Sequence, residues 1–309
     1  MIRTAIIYAL MLIALAIAVN SQTANNGKNV MWEPVDIPSR DLFAGPGGES
    51  MKPDLSRVEF LEEEKSGHNK KYRIKDGSGK IWVAKLGREA RPEVAAVRLL
   101  YGIGYKTEVN YFVPSITIPG KGTFENVRLE ARPENIKRLD EWKWKENPFV
   151  GTKELQGLKM MMVFMSNWDV LDLQNKVLAV NGENHYIVSD LGATFGKLGG
   201  NNFPIIYRLG RKTGSAEHFE DTKLVRFVED GEVELAYKGK NRGVFKGFTV
   251  DDARWLARHA ADRRVDCAAV GLLAREHRCR WRARARSGTV ATAPTRRQRR
   301  RSHDPSLHQ

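Results

Sequence analysis

The stretch that most constrains this chain runs from Ser166 to Gly196, a hairpin with acidic ends. Val177-Leu-Ala-Val180 and His185-Tyr-Ile-Val188 are two short β-rich runs. Between them lies Asn181-Gly182, the dipeptide best suited to a two-residue turn with positive φ at both positions. The polar residues sit just outside: Asp169, Asp172, Gln174 and Asn175 before the first run, and Asp190 after the second. The outer ends of a hairpin lie side by side, so carboxylates up to 21 positions apart converge. Gathered carboxylates repel one another unless they share a proton or a hard cation. Oxygen ligands of this kind suit Mg²⁺, which takes one or two carboxylates together with substrate phosphates.

Upstream, Val58-Glu-Phe-Leu61, Tyr72-Arg-Ile-Lys75 and Ile81-Trp-Val-Ala-Lys-Leu86 read as a three-stranded antiparallel meander. Period 2 puts Ile81, Val83 and Lys85 on one face. Lys85 is then either a strand-end lysine reaching water or a lysine held in a cleft to meet phosphate. Arg91-Pro92-Glu93 opens a helix, with Val94, Val97, Leu100 and Tyr101 at helical spacing and Gly102 and Gly104 ending it. Tyr111-Phe-Val-Pro-Ser-Ile-Thr-Ile118 and Asn126-Val-Arg-Leu-Glu130 complete an expected five-stranded sheet with one helix inserted after the third strand. After a polar connection, Thr152 caps a helix whose apolar positions are Leu155, Leu158, Met161, Met162, Phe164, Met165 and Trp168. The methionines 160–162 belong to its core face. Beyond Gly196 come a Gly- and Asn-rich, then basic segment read as mobile, a second hairpin around Asp230-Gly231, and a helix start at Thr249-Val-Asp-Asp252.

This order resembles the protein-kinase-like superfamily, and its divergent branches (phosphoinositide kinases, HipA-like kinases, secretory-pathway kinases) more than ordinary protein kinases. The resemblance spans residues 58–200. It implies an α+β, two-lobed protein-kinase-like fold: an N-terminal antiparallel sheet with one helix, then a mainly helical C-terminal lobe with β-hairpins. It also implies ATP and Mg²⁺ as cofactors of a phosphotransferase. Lys85 matches the lysine that holds phosphates, and Glu93, or else Glu89, its carboxylate partner. Asp169 matches the residue that accepts the substrate hydroxyl proton, and Asp190 the metal-binding aspartate. The metal-ligating amide falls on Gln174, five residues after Asp169, or on the adjacent Asn175. Asp172 is an alternative base or second ligand. Gly67 is the single glycine of the phosphate-covering loop, leaving backbone amides and Lys70 or Lys71 to bind there. No His-Arg-Asp and no Ala-Pro-Glu occurs.

The resemblance implies two partners, a nucleotide and a phosphate acceptor that is protein, lipid or small molecule. The altered amide position and sparse glycines favour a second reading, a catalytically inactive kinase-fold binding or scaffold protein of the cell envelope. Nucleic acid is a weaker candidate despite the net charge of +14, because residues 247–309 hold 15 Arg and 6 acids, a balance of +9. The body is therefore only mildly basic, and no specific nucleic-acid partner is expected. Lys is absent from that tail, while both Cys and four of seven His lie in residues 257–309. A shifted reading frame or a disordered tail accounts for this change of character. At the other end, Arg3 and the 15 uncharged residues from Ala5 to Val19, with Ala16-Ile17-Ala18 as a small-x-small cleavage site, read as a secretory signal. The run is short beside the ~20 residues of a spanning helix. The expected organisation is a signal at 1–21, a flexible arm at 22–54, lobes at 55–135 and 136–256, and the tail. Export to the periplasm or outside the cell follows, with a membrane tether as the alternative and transient membrane association through the N-terminal segment.

Overall fold

The first sheet follows directly from the alternation of its strands. The computed structural model describes residues 27–65, 69–198 and 211–260. The expected signal, Gly67, the segment 199–210 and the tail from 261 lie outside them. Strands β2 (Glu59–Glu64), β3 (Lys71–Lys75), β4 (Ile81–Leu86), β5 (Asn110–Ile118) and β6 (Gly122–Ala131) form one antiparallel sheet in the order β2-β3-β4-β6-β5. Tyr72, Ile74, Trp82, Ala84, Val127 and Leu129 pack together as an apolar core. The alternate positions are polar on β3 (Lys71, Arg73, Lys75) and mixed on β4 (Ile81, Val83, Lys85), and helix α1 (Ala90–Gly102) packs against β5 and β6. The helix is buried nearly all round, from Ala90 to Leu100 and Gly102. A one-faced amphipathic helix does not need that; a helix covered from a second side does.

The second cover is the described part of the arm expected at 22–54, residues 27–54, which is held in place by specific contacts. Strand β1 (Lys28–Val30) pairs in parallel with β9 (Glu183–Val188). Trp32 Nε1 donates to the Ile103 carbonyl at 2.7 Å, Arg40 Nη1 to that of Tyr101 at 2.6 Å, and Arg98 Nε to that of Phe43 at 3.2 Å. Met31, Ile37, Leu42 and Ala44 are buried. These anchors are sparse and set among Gly, Pro and Asn, so composition hides them. The Trp32 ring also meets Trp255 edge-on at 5.0 Å. Trp32→Ala is expected to lower stability by about 2 kcal/mol, less than a fully buried tryptophan because the ring is partly exposed. A urea denaturation midpoint checks this.

Helix α2 (Lys153–Phe164) starts as read, with Thr152 Oγ1 accepting from the Leu155 amide at 3.3 Å. It stops before Trp168, earlier than the apolar spacing suggests. Ser166 takes the left-handed conformation (φ 53°), and the Asn167 and Ser166 amides bond back to the Met162 and Val163 carbonyls at 2.8 Å each. This is the Schellman closure with serine in the place usually held by glycine. The chain then enters the hairpin. Strands β8 (Asn175–Val180) and β9 pair from Asn175 opposite Val188 to Val180 opposite Glu183. Asn181 and Gly182 both have positive φ, 50° and 82°, as the turn requires. Strand β7 (Lys137–Arg138) extends this sheet to the order β1-β9-β8-β7.

Strands β10 (Val225–Glu229), β11 (Glu232–Leu235) and β12 (Phe248–Thr249) form a third sheet. It is accompanied by α3 (Ala216–Glu220) and by α4 (Val250–Ala260), which packs on α2. Thr249 and Asp252 bond reciprocally at the start of α4, at 2.8 and 3.1 Å, as a capping box does. The chain is thus a mixed α/β protein with three sheets and four α-helices among the described residues. The second half carries the expected β-hairpins, β8–β9 and β10–β11, beside its helices. The methionines 160–162 lie in the main core with Leu100, Trp144 and Phe195, as expected. Among the described residues no helix is long and apolar enough to cross a membrane.

Candidate functional site

Lys85 lies near the end of β4, directly opposite Lys71 on β3 and Arg128 on β6. Three cations in cross-strand register repel one another. Helix α1 supplies the carboxylate that separates two of them. Glu93 Oε2 lies 3.2 Å from Lys85 Nζ, and its Oε1 accepts from Arg128 Nη1 at 2.6 Å. Glu89, just before the helix, lies 3.2 Å from the same ammonium, and Asp190 beyond the hairpin pairs with it too. Lys85 is only 3% exposed, so the reading of an ammonium in water is set aside. Burial disfavours its charged form, but Glu93, Asp190 and Glu89 outweigh that and raise its pKa above the usual lysine range. Burial pushes the Glu93 carboxyl up, against the pull of Arg128 and Lys85. For Asp190, burial also acts upward, but Lys85 wins and its pKa falls below the ordinary aspartate value.

Asp190 stands at the mouth of this cluster with its side chain half exposed. Its backbone is left-handed (φ 54°), a conformation that Asp and Asn enter more readily than most residues. Two residues on, Gly192 lies against the residue that precedes α1. A Cβ at Gly192 falls 2.7 Å from Glu89 Cβ. Gly192→Ala is therefore expected to push the start of α1 outward and cost about 1–3 kcal/mol by overpacking. A thermal denaturation scan reads that loss.

The second group of candidates gathers around the loop after α2. The Trp168 amide donates to the Ala193 carbonyl at 3.2 Å and the Phe195 amide to that of Met165 at 2.7 Å, so this loop is tied to the segment after Asp190. Asp169 Oδ2 accepts from Gln174 Nε2 at 3.2 Å, and Oδ1 pairs with the Lys240 ammonium. Gln174 Oε1 accepts from the Leu171 amide at 3.0 Å, so both ends of that amide are engaged. Asp172 Oδ1 accepts from the Trp144 amide at 3.0 Å. Asn175 is fully buried; its Nδ2 donates to the Trp142 carbonyl at 2.9 Å, and its Oδ1 has no hydrogen-bond partner.

The residues predicted from sequence thus fall into three sets. Lys85, Glu93 and Asp190 meet; Asp169 and Gln174 meet each other and Lys240; Asp172 and Asn175 bind backbone near the base of the hairpin. Lys70 and Lys71 part company in the fold. The Lys70 ammonium lies over the Tyr72 ring at 5.2 Å, on the apolar-core side of β3, while Lys71 shares the face of Lys85. Among the described residues no three His, Cys, Asp or Glu side chains form a metal-holding group. A magnesium ion here fits only the sparse set that Mg²⁺ accepts, one carboxylate and one amide completed by phosphate oxygens. Asp190 is the carboxylate whose chemistry meets that requirement, and the unpartnered Asn175 Oδ1 is the candidate amide oxygen, although it belongs to a different set. Arg128 and Lys240 were not foreseen. Arg128 sits in Val127-Arg-Leu-Glu130, where alternation is the same for a wet polar face and a helix-covered one.

A separate cavity of about 1310 Å³ lies along β10 and β11, lined by Phe227, Val233, Phe245, Lys223, Lys238 and Arg242, among others, and by none of the candidates above. No protein-family model matches the chain, and no curated protein matches it. Among solved structures, it is similar to a Helicobacter pylori proinflammatory kinase, CtkA, at 10% identity over 72% of this chain and 91% of that one, with a TM-score of 0.42. A likeness of that degree carries no functional weight.

Proposed function

We propose that this chain is a kinase-like protein that binds a nucleotide with Mg²⁺ and transfers its terminal phosphoryl group. The observation that carries the reading is the buried Lys85, held between Glu93 of α1 and Asp190 beyond the hairpin. A desolvated lysine kept charged by carboxylates is a ready partner for phosphate oxygens. Asp190 and Asn175 are the residues that would hold the metal, which supplies charge neutralisation on the phosphates when bound. Asp169 orients the acceptor hydroxyl, Lys240 lies beside it as a second cation, and Gln174 fixes its other oxygen. Asp172, bonded to the Trp144 amide, acts as a support of the loop. On this reading the fold is two-lobed, divided near residues 135 and 136. The protein is exported by residues 1–21, and the acceptor is a protein, lipid or small molecule.

One observation favours the second reading, an inactive kinase-fold binding or scaffold protein. Both oxygens of Asp169 are already engaged, by Gln174 and Lys240. Calorimetry with ATP in the presence and absence of Mg²⁺, on wild type and Asp190→Asn, separates the cases. Metal-dependent binding in wild type supports a nucleotide site, and its absence removes the enzyme reading. Binding without release of the terminal phosphate favours the scaffold.

A further inference from the structure

The cluster around Lys85 does not end at Glu93. Arg128, 3% exposed, touches Glu93, and its guanidinium also reaches Glu130 at 2.8 Å and Glu108 at 3.7 Å. Glu108 lies two residues before β5 and is 6% exposed. It belongs to the first sheet's side of the site, but its other partners come from the hairpin sheet. Its Oε1 accepts from Ser189 Oγ at 2.7 Å and from Arg138 Nη2 of β7 at 2.8 Å. Arg138 also pairs with Glu130, as does Arg132. Ser189 is the residue next to Asp190, and its amide donates to the Gln174 carbonyl at 2.9 Å. The contacts form a closed circuit: Asp190 to Lys85, Lys85 to Glu93, Glu93 to Arg128, Arg128 to Glu108, Glu108 to Ser189, and Ser189 by one peptide bond to Asp190.

We propose that Glu108 is a positioning residue that clamps Ser189 and Arg138 of the hairpin sheet to Arg128 of the first sheet. The clamp thereby fixes Asp190 against Lys85. The proposal rests on the reading of Asp190 as the metal-binding carboxylate. Stability alone is a poor reason for such a cluster, since packed apolar residues of similar volume usually serve a buried site as well as a buried ion network. What ions add is defined geometry, and here the geometry spans two sheets joined at Glu108 and, through Arg138, at Glu130. Burial acts upward on the Glu108 carboxyl, but Arg138, Arg128, Arg132 and the Ser189 hydroxyl bring it down to about 2, so it is ionised at neutral pH. A positioning contact one residue from a metal ligand acts through that ligand, and loss of such outer contacts costs about tenfold or more in metal affinity.

Ser189→Ala removes one hydroxyl and leaves the ions in place; Ser189→Thr keeps the hydroxyl; Glu108→Gln removes the charge. Each full-length variant is compared with wild type in two ways. Hydrogen exchange without nucleotide follows segment 189–195, whose Ser189 and Phe195 amides are bonded to Gln174 and Met165. A Mg²⁺ titration at fixed ATP follows the metal midpoint. The expected result is faster exchange in that segment and a metal midpoint raised about tenfold in Ser189→Ala, both restored in Ser189→Thr, with Glu108→Gln equal or larger. Wild-type exchange and a wild-type midpoint in Ser189→Ala overturn the clamp, even if Glu108→Gln fails to fold. If exchange rises in Ser189→Ala but wild type binds no ATP with Mg²⁺, the clamp stands and the phosphotransfer reading falls.

Discussion

Replacing Glu93 with alanine is expected to destabilise the protein by about 3–5 kcal/mol, the cost of leaving buried charge without its partner. The magnitude follows from register. Lys85 and Arg128 are directly opposite each other on β4 and β6, and the Glu93 carboxylate bonds to both. Without it, two buried cations face one another. Glu89 and Asp190 remain on the lysine, and Glu108 and Glu130 on the arginine, but none of these bridges the pair. A double-mutant cycle tests the cause. In the Glu93→Ala background, Lys85→Met removes one of the two cations and is expected to cost about 1–3 kcal/mol less than it does in wild type. Urea unfolding with an unchanged slope supplies the numbers. A Glu93→Ala midpoint close to wild type, or strict additivity, refutes the bridging role.

That prediction was half legible in the sequence. The strand carrying Lys85 and the helix carrying Glu93 follow from alternation and from a proline at the helix start, both local signals. The hairpin was legible for the same reason: Asn181-Gly182 specifies its own turn. The charges that lie beyond Glu93 were not. Arg128 and Glu130 occupy every second position of β6, the pattern of a solvent-facing edge, and nothing local says that α1 covers them. Glu108 precedes its strand and meets Ser189 and Arg138 only after the two sheets have come together. Lys240 reaches Asp169 from a distant loop, a contact with no periodic trace.

The misreadings have physical causes as well. Residues 27–51 read as loose because Gly and Pro recur through them, yet a few anchors order the segment: Met31, Trp32, Ile37 and Leu42, with Arg40 capping a carbonyl of α1. Helix α2 read too long because its apolar spacing runs on to Trp168, whereas Ser166 accepts a left-handed backbone that serine seldom takes. Lys70 and Lys71, alternatives in the sequence reading and not a misreading, were indistinguishable there. Period 2 separates them in the folded strand and sends Lys70 to the Tyr72 side.

Asp190→Asn is expected to abolish metal-dependent nucleotide binding while leaving the fold intact. The substitution is chosen for its backbone. Asparagine tolerates the left-handed φ of 54° as aspartate does, so the loop does not have to move. The carboxylate is half exposed, and Lys85 keeps Glu93 and Glu89 as partners, so the change in intrinsic stability is expected within about 1 kcal/mol. Ligand linkage then reports the site. Wild type at ATP·Mg²⁺ a hundredfold above its dissociation constant gains about 2.7 kcal/mol. The variant is expected to show the same small shift with and without Mg²⁺, because Lys85 still meets phosphate but the metal has lost its charged ligand. Lys85→Met is expected to lose the metal-independent part as well. An Asp190→Asn variant that retains the full magnesium-dependent shift places the metal elsewhere. That outcome would leave Asp190 as a counter-ion that keeps Lys85 charged, a structural pair and not a metal ligand.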